Sequence, residues 1–119
     1  MTLRRLEDQL QRAVLEHLEV RAVPSCSWFH VGNGGYRTRV EARVFRSLGV
    51  KAGVPDLILI RDGKTYGLEL EADGGRLTPV QQTTHVLMRE AGAVVEVAAG
   101  IDAAIWQLEA WGLLRGRAT

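Results

Sequence analysis

The sequence predicts a single α/β domain, and three observations carry that prediction. Asp62-Gly63 sits between two apolar alternating runs, the strongest short-range signal for a β-hairpin. A helical pattern over residues 79–91 leads into the apolar run Ala93 to Ala98 (AVVEVA), which reads as a mostly buried strand joined in parallel through a helical crossover. Amphipathic helical spacing marks three further segments. At 119 residues the chain can bury one core and has no room for a second. Residues 1–119 are therefore read as one domain, with an N-terminal helix over 1–22 and a core over 26–114.

In order, Leu3, Leu6, Leu10, Val14, Leu15 and Leu18 recur at helical spacing and predict a packing helix over 2–20. Arg4, Arg5 and Arg12 read as its solvated face. Val23-Pro24 ends it, and Cys26 to Val31 (CSWFHV) reads as a short strand. Gly32 to Gly35 is a flexible turn where backbone could approach a ligand. Thr38-Arg39-Val40-Glu41 fits a capping box, opening a helix to about Leu48 that Gly49 stops. Arg39, Arg43 and Arg46 form one basic stripe on it. Glu41 shares a side with Val44, Phe45 and Leu48, so it either faces the sheet or serves only as a cap. A second capping box, Thr78-Pro79-Val80-Gln81, opens the crossover helix, which Gly92 stops. Gln81 and His85 lie one turn apart on it, each read as either a substrate-facing or a structural residue. Asp102 is expected to cap a last helix to about Leu114, with Ile105, Trp106 and Leu108 to Leu113 covering the sheet. Trp106 and Trp111 read as core or subunit contact.

The stretch Gly53 to Pro79 organises the rest. With Asp62-Gly63 at the centre of a two-residue turn, Arg61 faces Lys64, Ile60 faces Thr65 and Asp56 faces Glu69. Alternation puts Leu57, Leu59, Tyr66, Leu68 and Leu70 on one face, and Asp56, Ile58, Ile60, Gly67, Glu69 and Glu71 on the other. One end thus collects three carboxylates. Directly opposed acids lie only about 5 Å apart and destabilise a sheet. A divalent cation would offset the repulsion, since Mg²⁺ takes oxygens from one or two carboxylates and keeps waters for a substrate phosphate. Screening at a solvated hairpin end is the alternative.

Composition bounds the function. Apolar residues make up 46% and charged ones 24%, as in ordinary globular proteins. The net charge of +1 selects no partner, but thirteen Arg against two Lys (Lys51 and Lys64) cluster outside the acidic hairpin. Arg-rich flanks around an acidic pocket suit a phosphodiester approaching a metal. A lone Cys26 excludes a disulfide framework and a cysteine zinc site, and fits a reducing cytoplasm. No run approaches the roughly 18 apolar residues of a membrane span.

Asn33-Gly34-Gly35, Gly49 to Asp56 (GVKAGVPD), Glu69-Leu70, Gly74 to Pro79 (GGRLTP) with Gln81, and Trp111-Gly112-Leu113 together resemble the VRR-Nuc clade of the PD-(D/E)XK nuclease superfamily, particularly its small stand-alone members from phage and bacteria. The match spans about Trp28 to the end, and its order and spacing are more specific than any one piece. The resemblance implies a restriction-endonuclease-like core with a central mixed β-sheet flanked by helices. It implies a Mg²⁺- or Mn²⁺-dependent endodeoxyribonuclease, a homodimer acting on branched DNA such as four-way junctions, in a bacterial or phage setting. Carried over, Asp56 and Glu69 look like metal ligands, Glu41 like the helix-borne acid and Gln81 like the accessory glutamine. Arg37, Arg39, Arg43, Arg46, Lys51 and Arg76 become the candidates for DNA contact. The chain departs from the family at one position, because Glu71 stands where Glu-x-Lys places a lysine. That changes the local charge by two units against a polyanion. The expectation is reduced or absent cleavage on a nuclease scaffold, with an inactive DNA-structure-binding module as the alternative and Glu71 as a further metal ligand a third outcome.

Overall fold

A computed structural model describes residues 2–32 and 38–116. Eight elements follow one another: α1 (Leu3–Arg21), β1 (Ser27–His30), α2 (Arg39–Ser47), β2 (Leu57–Arg61), β3 (Lys64–Glu71), α3 (Pro79–Glu90), β4 (Val94–Ala99) and α4 (Ile101–Ala110). The four strands form one sheet in the order β1-β2-β3-β4, antiparallel across the first two pairings and parallel across the last. The expected mixed α/β sheet with flanking helices is therefore present.

The hairpin has the expected register. Arg61 pairs with Lys64, Ile60 with Thr65, and the ladder continues to Leu57 opposite Leu68. Its turn works because Asp62 and Gly63 both accept positive φ, 51° and 74°, as a primed hairpin turn requires. Asp56 lies one residue before β2, at the open end. Pro55 is fully buried there, and a Cβ on Gly67 would stand 2.9 Å from its Cγ. Glycine at 67 thus lets Pro55 lie across β3 and fixes where Asp56 emerges.

Leu57, Leu59, Leu68 and Leu70 join Leu10, Val14 and Leu18 of α1 and Ala104, Ile105 and Leu108 of α4 in one buried cluster. The four-residue spacing on α1 supplies one stripe to the sheet. Thr2 caps that helix, its Oγ1 accepting from the Arg5 amide at 3.2 Å. The two chain ends are tied together where Val23 N donates to Leu113 O at 2.9 Å and Arg21 pairs with Glu109. Tyr66 packs on Trp111 with ring centroids 5.0 Å apart.

Three expectations are corrected. Trp106 is 66% exposed and does not cover the sheet, because α4 turns Ala104, Ile105 and Leu108 inward. Gly100, with φ 90°, occupies the cap of α4, and Asp102 sits in its first turn without a capping bond. Helix α2 begins at Arg39 with Thr38 as its cap, the Thr38 Oγ1 accepting from Glu41 N at 3.0 Å, yet none of its residues is buried. Val44, Phe45 and Leu48 are exposed, so the side that includes Glu41 does not face the sheet. Periodicity shows that a helix has an apolar side, not that the same chain covers it.

Candidate active site

The open end of the hairpin is where the fold concentrates acidic side chains. Asp56 Oδ2 accepts the backbone amide of Leu70 at 2.7 Å, which places its carboxylate between Glu69 and Glu71 along β3. Glu69 is 2% exposed and Glu71 is buried beside it. Burial pushes the Glu69 carboxyl up to about 10, reinforced by a side-chain hydrogen bond with Asp56 and by the charges of Asp56 and Glu71. Burial and its acidic neighbours thus disfavour the charged form of Glu69. Burial likewise raises Glu71 to about 7, with a hydrogen bond to Glu7 and the charges of Glu7 and Asp56 acting in the same sense.

Glu7 is the residue that sequence reasoning missed. It projects from the second turn of α1, and its Oε2 approaches the Ala72 amide at 3.5 Å. Gly75 completes the corner, since a Cβ there would stand 2.5 Å from Glu71 Oε2 and 3.5 Å from Glu7 Oε2. An acid from α1 therefore meets the hairpin, whereas Glu41 is exposed on α2. The available signal was the Glu7 to Leu10 spacing, which places Glu7 one turn before the buried stripe.

A cavity of about 200 Å³ opens over this cluster, lined in part by Arg4, Glu7, Asp8, His30, Asp56 and Leu70. His30 Nδ1 lies 2.8 Å from the Asp56 carbonyl oxygen, which also accepts from Val31 N at 3.0 Å. Arg4, read as solvated, lines the cavity wall. On the other side of Glu69, His85 Nε2 lies 3.1 Å from Glu69 Oε1. Burial and the Arg89 charge hold the His85 pKa down, so its ring is neutral.

The remaining candidates are spread out. Gln81 Oε1 accepts from Thr78 N at 2.8 Å and closes the capping box of α3. Arg39, Arg43 and Arg46 are exposed on α2, Lys51 borders a shallow groove with Pro79 and Val80, and Arg76 is exposed after β3. Arg37 and the Asn33-Gly34-Gly35 turn lie outside the described residues.

Among the described residues no three acidic, histidine or cysteine side chains surround one point as ligands. The donor set nevertheless fits a hard divalent cation: carboxylate oxygens only, crowded so that burial and mutual repulsion oppose their charge until a cation offsets it, beside a cavity with room for water. Asp56 and Glu69 could hold such an ion, with Glu71 and Glu7 adjoining.

Two solved structures share this fold over most of the chain. A "VRR_NUC domain protein" superposes with a TM-score of 0.70 at 25% identity, covering 87% of this chain and 84% of its own. The chain has the VRR_NUC fold. A second structure, titled "VRR_NUC domain", gives a TM-score of 0.57 at 21% identity over 87% of this chain and 94% of the other. No family model matches the sequence, and no curated protein does. The fold expected from scattered motifs is thus present, with Asp56 and Glu69 at the open end of its hairpin.

Proposed function

We propose that this VRR_NUC-like chain is a nuclease domain, a divalent-metal-dependent endonuclease scaffold acting on DNA, with branched DNA such as a four-way junction as its substrate and a homodimer as its working form. The observation that carries this reading is the clustering of Asp56, Glu69, Glu71 and Glu7 at the open end of the hairpin, beside a cavity that Glu7 and Asp56 line, within the fold of the VRR_NUC proteins. Asp56 and Glu69 are the proposed ligands of Mg²⁺ or Mn²⁺, Glu7 takes the place given to Glu41, and Arg39, Arg43, Arg46, Lys51 and Arg76 are the proposed DNA contacts. When bound, the ion supplies positive charge to a phosphate oxygen and acidifies a water for attack. The chain's own part is to fix the carboxylates: Leu70 N holds Asp56, and the cavity wall brings Arg4 to the phosphate side.

One observation favours reduced cleavage. Glu71 is buried against Glu7, so an acid pair stands where the resembling family carries a cationic side chain. A lysine there would pair with Glu7 and add charge that attracts a phosphate. The test is a four-way-junction cleavage assay in Mg²⁺ and Mn²⁺ on the chain as written and on Glu71→Lys. Cleavage confined to the lysine form is the expected result and identifies a nuclease site silenced at one position. Cleavage by the chain as written would instead make Glu71 part of a working centre, and cleavage by neither, with salt-sensitive junction binding by both, would leave a DNA-structure-binding module.

A further inference from the structure

His85 is buried in the middle of α3, 1% exposed, and none of the roles above uses it. Its Nε2 lies 3.1 Å from Glu69 Oε1, while its Nδ1 is buried with no hydrogen-bond partner. Buried ring nitrogens are nearly always paired, and leaving one unpaired is costly, so packing alone would favour an apolar side chain at this position. The adjacent residue is tied to the other half of the site. Thr84 Oγ1 donates to Ala52 O at 2.8 Å, and Gly53, at φ +83°, would put a Cβ 2.7 Å from both Thr84 Oγ1 and Val80 O. Two consecutive residues of α3 therefore grip the two segments that carry the proposed ligands: Thr84 holds the loop leading to Asp56, and His85 holds Glu69.

We infer that His85 is the positioning residue of Glu69, donating its Nε2–H to Oε1 and so orienting the carboxylate to present its other oxygen to a divalent cation. Toward a deprotonated Glu69 only the Nε2–H tautomer makes this bond. A group that fixes and orients a ligating side chain in this way commonly governs metal affinity by 10–100-fold. The inference rests on the metal reading proposed above and specifies which group outside the ligand set supports it.

The experiment is calorimetric titration of Mn²⁺ into the full chain as written and into His85→Leu, His85→Gln, His85→Asn and Asp56→Ala, with the melting temperature of each in the absence of metal. Leucine removes the donor together with the orphaned nitrogen. The expected result is a roughly 10–100-fold weaker Mn²⁺ affinity without a matching loss of melting temperature. Glutamine carries an amide donor at the distance of Nε2 and restores the affinity to within a few-fold; asparagine, whose amide reaches only as far as Nδ1, does not. A purely structural histidine would lower the melting temperature and leave the affinity unchanged. Binding that is lost in Asp56→Ala but equal in the chain as written and His85→Leu overturns the role of His85 alone. If the chain as written binds no Mn²⁺, the metal reading falls and this one with it. Should the leucine form fail to fold, the glutamine and asparagine pair decides, and equal affinities in those two overturn the proposal.

Discussion

Asp56 and Leu70 are joined by a 2.7 Å hydrogen bond from the Leu70 amide to Asp56 Oδ2, so the backbone between Glu69 and Glu71 anchors the third acid of the cluster. An asparagine at 56 keeps an acceptor for that amide and removes the charge facing Glu69. An alanine removes both, leaving a partly buried amide unpaired at a cost of about 1–3 kcal/mol. Asp56→Asn is therefore expected to melt higher than Asp56→Ala by several degrees without metal, while both weaken Mn²⁺ affinity at least tenfold. Scanning calorimetry and metal titration check this; equal melting temperatures would show that the hydrogen bond does not anchor the residue.

The raised carboxyls give stability a pH dependence of definite sign. Glu71 titrates at about 7 and Glu69 at about 10 in the folded chain, against an ordinary 4.5. Between 4.5 and those values the folded state keeps protons that the unfolded chain has released, so stability falls as pH rises. Their contribution is fully present below about pH 4.5. It is lost through 7 for Glu71 and continues to fall toward 10 for Glu69. The metal-free chain is expected to melt higher at pH 5.5 than at pH 8, with the lower part of that slope flattened in Glu71→Gln. Melting curves across this range measure it, and a melting temperature that rises from pH 5.5 to 8 contradicts the assignment.

Much of the architecture was legible because it depends on local rules. Asp62-Gly63 specifies a primed turn, the turn fixes the register, and the register sorts Leu57, Leu59, Leu68 and Leu70 from Glu69 and Glu71. The crossover helix and its capping box followed from Thr78, Pro79 and Gln81. What escaped were relations between elements distant in sequence. The approach of Glu7 to Glu71 spans 64 positions, and helical periodicity says only that Glu7 borders the buried stripe. The exposure of Glu41 escaped for the complementary reason, since the same pattern suits a covered helix and an uncovered one. His85 was open between substrate-facing and buried roles until the strand beneath it was placed.

Gly53 tests whether the loop before Asp56 is held by α3. Its φ of +83° disfavours any other residue, and a Cβ would meet Thr84 Oγ1 and Val80 O at 2.7 Å, one of them rigid helix backbone. Strain at positive φ together with overpacking costs about 2–4 kcal/mol. Gly53→Ala is expected to lower the denaturant midpoint accordingly and to weaken Mn²⁺ binding, because the loop and Asp56 must shift together. Gly49→Ala is the control: its φ is also positive, at +93°, but a Cβ there meets nothing within 4 Å. It should lose only the conformational part of the stability and keep its metal affinity. Equal losses in the two variants would show that contact with α3 does not set the loop.

Arg39, Arg43 and Arg46 offer a test of DNA contact that stability does not confound, because α2 carries no buried residue. They recur at i, i+4 and i+7 on one helical face, a spacing that lets successive guanidinium groups follow a phosphate backbone. Replacing all three by alanine favours the helix intrinsically and opens no cavity, so the melting temperature is expected to stay within about 2 °C. If the stripe meets DNA, junction affinity falls, and the plot of log affinity against log salt becomes shallower by about 0.9 for each phosphate that the arginines no longer neutralise. Fluorescence anisotropy on a labelled four-way junction, at salt concentrations from about 50 to 200 mM, reads both quantities. An unchanged salt slope would assign the stripe to solvent and leave Lys51 and Arg76, beside the entry to α3, as the cationic side chains to test next.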